Sequence, residues 1–84
     1  MEISLTPSWT LTTEHAASTE GQPVLVNRVR QTVYLPGEIV KTYSSYGLLS
    51  AAEAVRCMVQ TAHRSKADMR LVERFCSLAG VTGT

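Results

Sequence analysis

The sequence predicts an α+β fold in which short N-terminal strands, or a β-hairpin, pack with a C-terminal antiparallel helical pair. A stretch rich in Val, Thr and Tyr at 23–35 predicts the strands. Two apolar stripes with helical spacing at 50–79, each preceded by a serine three residues ahead of a carboxylate, predict the helices. A chain of 84 residues supports one core, so we assign 1–80 to a single domain and 81–84 to a flexible tail.

The composition is that of a folded protein with a weak overall charge. Hydrophobic residues make up 44% of the chain and charged residues only 18%, which is too apolar for a disordered regulator. The formal net charge of +1 creates no strong global field, so any affinity for nucleic acid must come from a local cluster of basic side chains.

The first 22 residues predict an arm followed by a short helix. Alternating apolar residues mixed with Thr, Ser and Pro indicate an edge strand or a packed arm over 1–11. Thr12 or Thr13 can cap a helix of at most two turns through 14–17, and Gly21 supplies a left-handed stop.

The segment 23–46 predicts a hairpin and then a helical turn. Two short strands joined near Arg28 to Gln31 fit 23–35 better than one long strand, because polar residues interrupt its alternation. Pro36 and Gly37 indicate a turn. A helical turn over 38–46, broken by Gly47, follows from the spacing of its apolar residues.

Two helices are predicted at about 51–63 and 66–79, with Gly80 closing the second. Their apolar stripes, carried along one straight helix, would lie roughly 150° to 210° apart at ~100° per residue. We therefore predict a break at 64–66 and a folded-back pair. The alternative is one continuous helix, whose second stripe would meet a partner chain. The expected apolar faces comprise Val55, Met58, Val59 and Ala62, then Leu71, Val72, Phe75, Leu78 and Ala79.

Catalysis, cofactor binding and metal binding have little support in the sequence. His15 and His63 have no neighbouring nucleophile at a spacing that forms a catalytic pair. Cys57 and His63 are six residues apart, whereas two ligands on one helix face need three or four. The scattered glycines form no phosphate-binding loop. We expect no enzymatic activity, no cofactor and no metal.

Basic residues provide the candidate contacts. Lys66, Arg70 and Arg74 recur every four residues, which predicts a row on one side of the last helix, either a solvated face or a docking strip for anions or an acidic partner. Arg28 and Arg30 have alternate-strand spacing, which predicts that both project from one face of the hairpin and are candidates for contact with nucleic acid.

The sequences EGQPVLVNR at 20–28 and VYLPGEIV at 33–40 resemble the middle of prevent-host-death (Phd/YefM-type) antitoxins, and the resemblance extends over residues 3–40. It implies a dimeric DNA-binding N-terminal half, with Arg28 and Arg30 near its basic surface, and a C-terminal half that binds a toxin.

Two functions remain open. The first is a non-enzymatic protein-interaction module, such as an adaptor, a phage-type inhibitor or an assembly subunit, that acts through its C-terminal helices. The second is a dimeric DNA-binding regulator or antitoxin-like protein. In both cases we expect a homodimer with an unidentified protein partner. The start MEISLTPSW has no signal-like apolar run and no stretch resembles a membrane span, so we expect a cytoplasmic protein with free thiols at Cys57 and Cys76 and no membrane contact.

Overall fold

The N-terminal part of the chain folds into a four-stranded antiparallel sheet in the computed structural model. The structure describes residues 1–43, 45–62 and 66–80, except the side chains of 66–68. The strands are β1 (Glu2–Ser4), β2 (Trp9–Thr12), β3 (Val24–Asn27) and β4 (Thr32–Tyr34), in that order across the sheet. This arrangement confirms the two predicted strands within 23–35 and their junction at 28–31.

The first 12 residues form a hairpin instead of one edge strand or arm. Of these two strands, β1 lies at an edge of the sheet and β2 is paired on both sides. The turn between them is closed by Thr6, whose Oγ1 accepts the amide protons of Ser8 at 3.3 Å and Trp9 at 3.2 Å. A threonine side chain that caps a turn in this way holds the two strands close together.

The predicted short helix over 14–17 is wrong. This segment forms turns, followed by a single 3-10 turn at Thr19–Gly21. The Thr12 hydroxyl accepts the Glu14 amide proton at 3.0 Å, and the Ser18 hydroxyl donates to the Thr12 carbonyl at 3.4 Å. Side chains that bond locally to the backbone compete with helix formation, which explains the difference. The left-handed conformation predicted for Gly21 is present, with φ of 72°.

The predicted helical turn over 38–46 is also wrong, because this segment begins a second hairpin. Strands β5 (Ile39–Tyr43) and β6 (Gly47–Ser50) pair antiparallel, with Val40 opposite Leu49. The β-branched residues of β5 favour the extended backbone, and pairing with β6 outweighs their helical spacing. The turn predicted at Pro36 and Gly37 is confirmed, since the Glu38 amide donates to the Leu35 carbonyl at 3.0 Å.

Two helices follow, α1 (Ala51–Ala62) and α2 (Lys66–Leu78), as predicted. Ser50 and Glu53 form the predicted capping box at the start of α1. The Ser50 hydroxyl accepts the Glu53 amide proton at 3.2 Å, and the Glu53 carboxylate accepts the Ser50 amide proton at 3.1 Å. Gly80 has φ of 74° just after α2, as expected for its closing residue.

The helices fold back on each other. The Cys76 thiol, near the end of α2, lies 3.8 Å from the carbonyl oxygen of Ala52, near the start of α1. This contact confirms the antiparallel pair. The predicted break at 64–66 falls largely outside the described residues, and the predicted tail at 81–84 lies wholly outside them.

One core joins the sheet, the second hairpin and both helices. Its buried members are Leu5, Trp9, Leu11, Leu25, Val40, Ala51, Ala52, Ala54, Val55, Met58, Val59, Leu71, Val72, Phe75 and Cys76. The predicted helical stripes therefore face inward, except that Ala62 and Leu78 at the ends of the helices are exposed. Within the described part of the chain, neither helix is long and apolar enough to cross a membrane.

The capping box of α1 can be tested by the substitution Ser50→Ala. We expect the free energy of unfolding in urea to fall by about 1 kcal/mol, because the Glu53 amide loses its acceptor at the helix start. Ser45→Ala, at an exposed turn residue, is the control and should change stability by less than ~0.5 kcal/mol. Equal stability of the Ser50→Ala and wild-type proteins would contradict the capping role.

Candidate functional site

The basic row on α2 lies on the side of the helix away from the core. Arg70 and Arg74 are exposed, whereas Leu71 and Phe75 are buried. Lys66 is the first residue of α2, and its side chain lies outside the described set. Glu73 is exposed between the two arginines, so the described surface of α2 carries both signs of charge.

Arg28 and Arg30 lie in the turn between β3 and β4, not on a strand. The prediction that strand alternation places them on one face is therefore wrong. The Asn27 side chain forms the turn, because its Oδ1 accepts the amide protons of Val29 and Arg30, both at 3.0 Å. Both arginines are exposed, and Arg28 Nη2 lies 3.6 Å from a carboxylate oxygen of Glu2.

Among the described residues, no hydrogen bond or ion pair joins the arginines of the β3–β4 turn to those of α2. Arg28 contacts β1, at the edge of the sheet, while Arg70 and Arg74 lie on a helix that packs on α1. The two basic sets are therefore separate candidate surfaces.

The cysteines are free, as expected, and differ in burial. Cys57 is half-buried and Cys76 is buried. Burial raises the pKa of the Cys76 thiol above its ordinary value of 9.0, although the Arg56 guanidinium acts in the opposite direction. Among the described residues, no group of three or more His, Cys, Asp and Glu side chains is placed to hold a metal ion.

Four aromatic side chains form a cluster between the first sheet and the second hairpin. The Trp9 ring lies 5.8 Å from the Tyr34 ring and 6.4 Å from the Tyr43 ring, measured between centroids. Tyr46 stacks on Tyr43 at 5.0 Å, and its hydroxyl lies 3.1 Å from the hydroxyl of Thr61 on α1. Trp9 is far in sequence from Tyr34 and Tyr43, so no local pattern could have predicted its contacts with those two rings.

An exposed apolar face on the second hairpin was missed. The register places Ile39 opposite Ser50 and Val40 opposite Leu49, so Ile39 and Leu48 share the face that points away from the core. Ile39 is 55% exposed and Leu48 is 65% exposed. We call Ile39, Lys41 and Leu48 the hairpin face. The β-branched residues of β5 favour a strand, but the spacing of the apolar residues in the same segment also fits a helix, and the helix was predicted.

No family model matches the chain, and neither does any curated protein or solved structure. The likeness to prevent-host-death antitoxins therefore stays a prediction.

The buried thiol predicts a loss of stability at alkaline pH. Because its pKa is higher in the folded than in the unfolded chain, Cys76 stabilises the fold fully below the unfolded pKa near 9.0, and this contribution is lost as pH rises through the folded pKa. The slope can reach ~1.4 kcal/mol per pH unit in that window. We expect Cys76→Ala, which lacks the thiol, to lose less stability than wild type as the pH is raised above about 9 in urea unfolding.

Cys57→Ala is the matched control. It removes the half-buried thiol and leaves Cys76 in place, so its stability should fall with pH as in wild type. If the Cys76→Ala and wild-type proteins show the same pH slope, ionisation of this thiol does not contribute.

Proposed function

We propose that the protein is a non-enzymatic protein-interaction module that dimerises through the hairpin face and presents the outer side of α2 to an acidic partner. The observation that carries the proposal is the exposure of two large aliphatic side chains, Ile39 and Leu48, on one face of a two-stranded sheet. The core already uses the apolar sides of both helices, so among the described residues this face is the one where neighbouring apolar side chains meet solvent on paired strands.

The two aliphatic residues are close enough to act together. Ile39 lies opposite Ser50, and Leu48 is two residues from Ser50 on the same strand, so Leu48 is diagonal to Ile39. Diagonal neighbours on one face of an antiparallel pair lie roughly 7–8 Å apart, within reach of a common contact. A single exposed Leu is ordinary, whereas adjacent exposed apolar residues are typical of a contact surface.

A second copy of the chain fits this face. Glu38 and Lys41 flank Ile39, so two copies related by a two-fold axis bring opposite charges beside their apolar centres. Full burial of an aliphatic side chain is worth about 1.5–3 kcal/mol, so covering the exposed parts of four such side chains yields on the order of 5 kcal/mol. Association costs ~4–15 kcal/mol of lost freedom. A dimer that forms at millimolar concentration needs a net association free energy of about −4 kcal/mol. The apolar centre alone falls short of this value, so the proposal requires the flanking charged residues to contribute as well.

The outer side of α2 supports the second part of the proposal. Arg70 and Arg74 are one helical turn apart and both exposed, which suits contact with carboxylates spaced along a partner. Glu73 between them lowers the local positive potential, so we expect this strip to bind acidic partners weakly and at low salt.

Dimerisation can be tested by Leu48→Lys and Ile39→Lys. We expect each to move the mass measured by light scattering at ~1 mM chain toward that of the monomer, because a charge replaces an apolar contact. Val29→Lys is the control: Val29 is 76% exposed in the β3–β4 turn and should leave the mass unchanged. A wild-type monomer at this concentration would exclude the dimer.

The acidic-partner surface can be tested with poly-L-glutamate as the probe. We expect retention on a poly-L-glutamate column at low salt, and loss of retention in the double variant Arg70→Glu with Arg74→Glu, because two cations become anions. The control is the double variant Arg28→Glu with Arg30→Glu. It makes the same change of charge outside α2, and we expect it to remain bound to the column. Equal loss in both double variants would show that total charge, not the α2 strip, governs binding.

DNA binding by a dimeric regulator is the second candidate. It is favoured by the exposure of both Arg28 and Arg30 in one short turn, where two subunits would present four guanidinium groups. We expect a gel shift with random duplex at low salt and tens of micromolar protein, abolished by Arg28→Gln with Arg30→Gln. The double variant Arg70→Gln with Arg74→Gln is the matched control. The absence of any shift with wild type would exclude this function.

A further inference from the structure

A small cavity lies on the side of the four-stranded sheet that faces away from the helices. The register pairs Glu2 with Thr12 and Thr10 with Val26, and these four residues alternate with the core residues of the same strands. The cavity has a volume of about 220 Å³ and is lined by Glu2, Thr10, Thr12, Glu14, His15, Val26 and Arg28. The hairpin face and the outer side of α2 share no residue with it, and the DNA-binding candidate shares Arg28 alone.

One residue of the cavity lining carries a buried, unsatisfied polar group. Thr10 is only 3% exposed, and its hydroxyl has no hydrogen-bond partner among the described residues. A buried hydroxyl without a partner costs roughly 1–3 kcal/mol, so such groups in proteins are nearly always satisfied by a neighbour, a water or a ligand. The neighbouring Thr12 hydroxyl already accepts the Glu14 amide proton, so the Thr10 hydroxyl is the unsatisfied one of the pair.

His15 provides a hydrogen-bond donor at the rim. Its Nδ1 accepts the amide proton of Ala17 at 3.0 Å. When one ring nitrogen of a neutral imidazole is the acceptor, the other carries the proton. Neutral His15 is therefore held as the Nε2–H tautomer, a donor for a carboxylate or carbonyl oxygen.

Charges of both signs line the cavity. Arg28 is a cation with five N–H donors, and its distance of 3.6 Å from Glu2 exceeds that of an ordinary hydrogen bond. Glu2 and Glu14 supply two carboxylates, and the N-terminal ammonium lies 3.9 Å from a Glu14 oxygen. Two positive and two negative charges therefore meet at the cavity, so no net charge favours a simple anion or a simple cation.

We infer that this cavity binds a small zwitterion that carries an ammonium and a carboxylate, such as a free α-amino acid. The ligand ammonium lies at Glu2 and Glu14, and its carboxylate lies at the Arg28 guanidinium. The His15 Nε2–H and the Thr10 hydroxyl donate to the ligand carboxylate, and the methyl groups of Val26 and Thr12 contact its aliphatic part. Small-molecule sites in proteins usually span ~300–1,000 Å³, so a cavity of about 220 Å³ suits a ligand of amino-acid size rather than a nucleotide.

The test titrates the full-length protein with L-valine and follows backbone amide and His15 ring signals by NMR. We expect saturable shifts at Thr10, Thr12, Val26 and His15 with a Kd on the order of 1 mM, as suits a few exposed polar contacts. Isobutylamine carries only the ammonium of valine, and isobutyrate carries only its carboxylate. Each should bind at least ~10-fold more weakly than valine, because each leaves one set of charges without a partner.

Two pairs of variants locate the contacts. Arg28→Gln and Glu2→Gln should each weaken valine binding by ~5-fold or more, as expected when one partner of a charge-assisted hydrogen bond is removed. The matched controls are Arg30→Gln, in the same turn as Arg28, and Glu20→Gln, an exposed carboxylate; neither residue lines the cavity. All four positions are exposed, so the folded spectrum should persist.

Three results would overturn the proposal. The first is the absence of saturable shifts up to about 50 mM valine, far above the expected Kd. The second is binding of either half-charged probe as tight as that of valine. The third is an equal loss of affinity in Arg30→Gln and Arg28→Gln, which would indicate a general effect of charge.

Discussion

The close packing of α2 on the first turns of α1 is the contact on which the rest of the structure depends. Ala51, Ala52 and Ala54 are fully buried, and their small side chains let the end of α2 approach until the Cys76 thiol lies 3.8 Å from the Ala52 carbonyl. Larger residues at these positions would hold the helices apart. Phe75, the largest fully buried side chain, sits beside this contact in the same core.

This packing determines which surfaces remain for partners. A chain of this size has one core, and the helical pair places Val72 and Phe75 in the cluster that also holds Leu11 and Leu25 of the sheet. The helices consequently present polar residues outward. The second hairpin has only Val40 among the fully buried members of the core, which leaves its outer face to solvent. The exposure of the hairpin face follows from where the helices lie.

The sequence predicted the elements whose signals are local. The helices and the cap of α1 were predicted within one or two residues, because apolar spacing and the Ser50–Glu53 pair are contained in single segments. The matching serine predicted ahead of α2, Ser65, lies outside the described residues. Strands β3 and β4 were predicted for the same reason. Strand β5 was missed because its apolar residues match a helical period as well as a strand, and only pairing with β6 decides between them.

The candidate surfaces were predictable only in part, for a related reason. The exposure of Arg70 and Arg74 follows from the helical period, and the structure agrees. The positions of Arg28 and Arg30 could not be derived from strand alternation. Asn27 Oδ1 accepts the amide protons of Val29 and Arg30, and these two bonds convert the strand into a turn just before the arginines. The cavity combines residues from three strands and two connecting segments, so no single segment contained its pattern.

Strand β2 links the core to the cavity. Its sequence, Trp-Thr-Leu-Thr, alternates as in a strand with one face in solvent, yet Thr10 and Thr12 are only 3% and 4% exposed. Covering that second face requires the chain after β2 to turn back across it, which a helix starting at Thr12 would prevent. The Ser18 hydroxyl bonded to the Thr12 carbonyl shows how the segment is held there. The missing helix and the cavity thus have one cause, the burial of β2 on both faces.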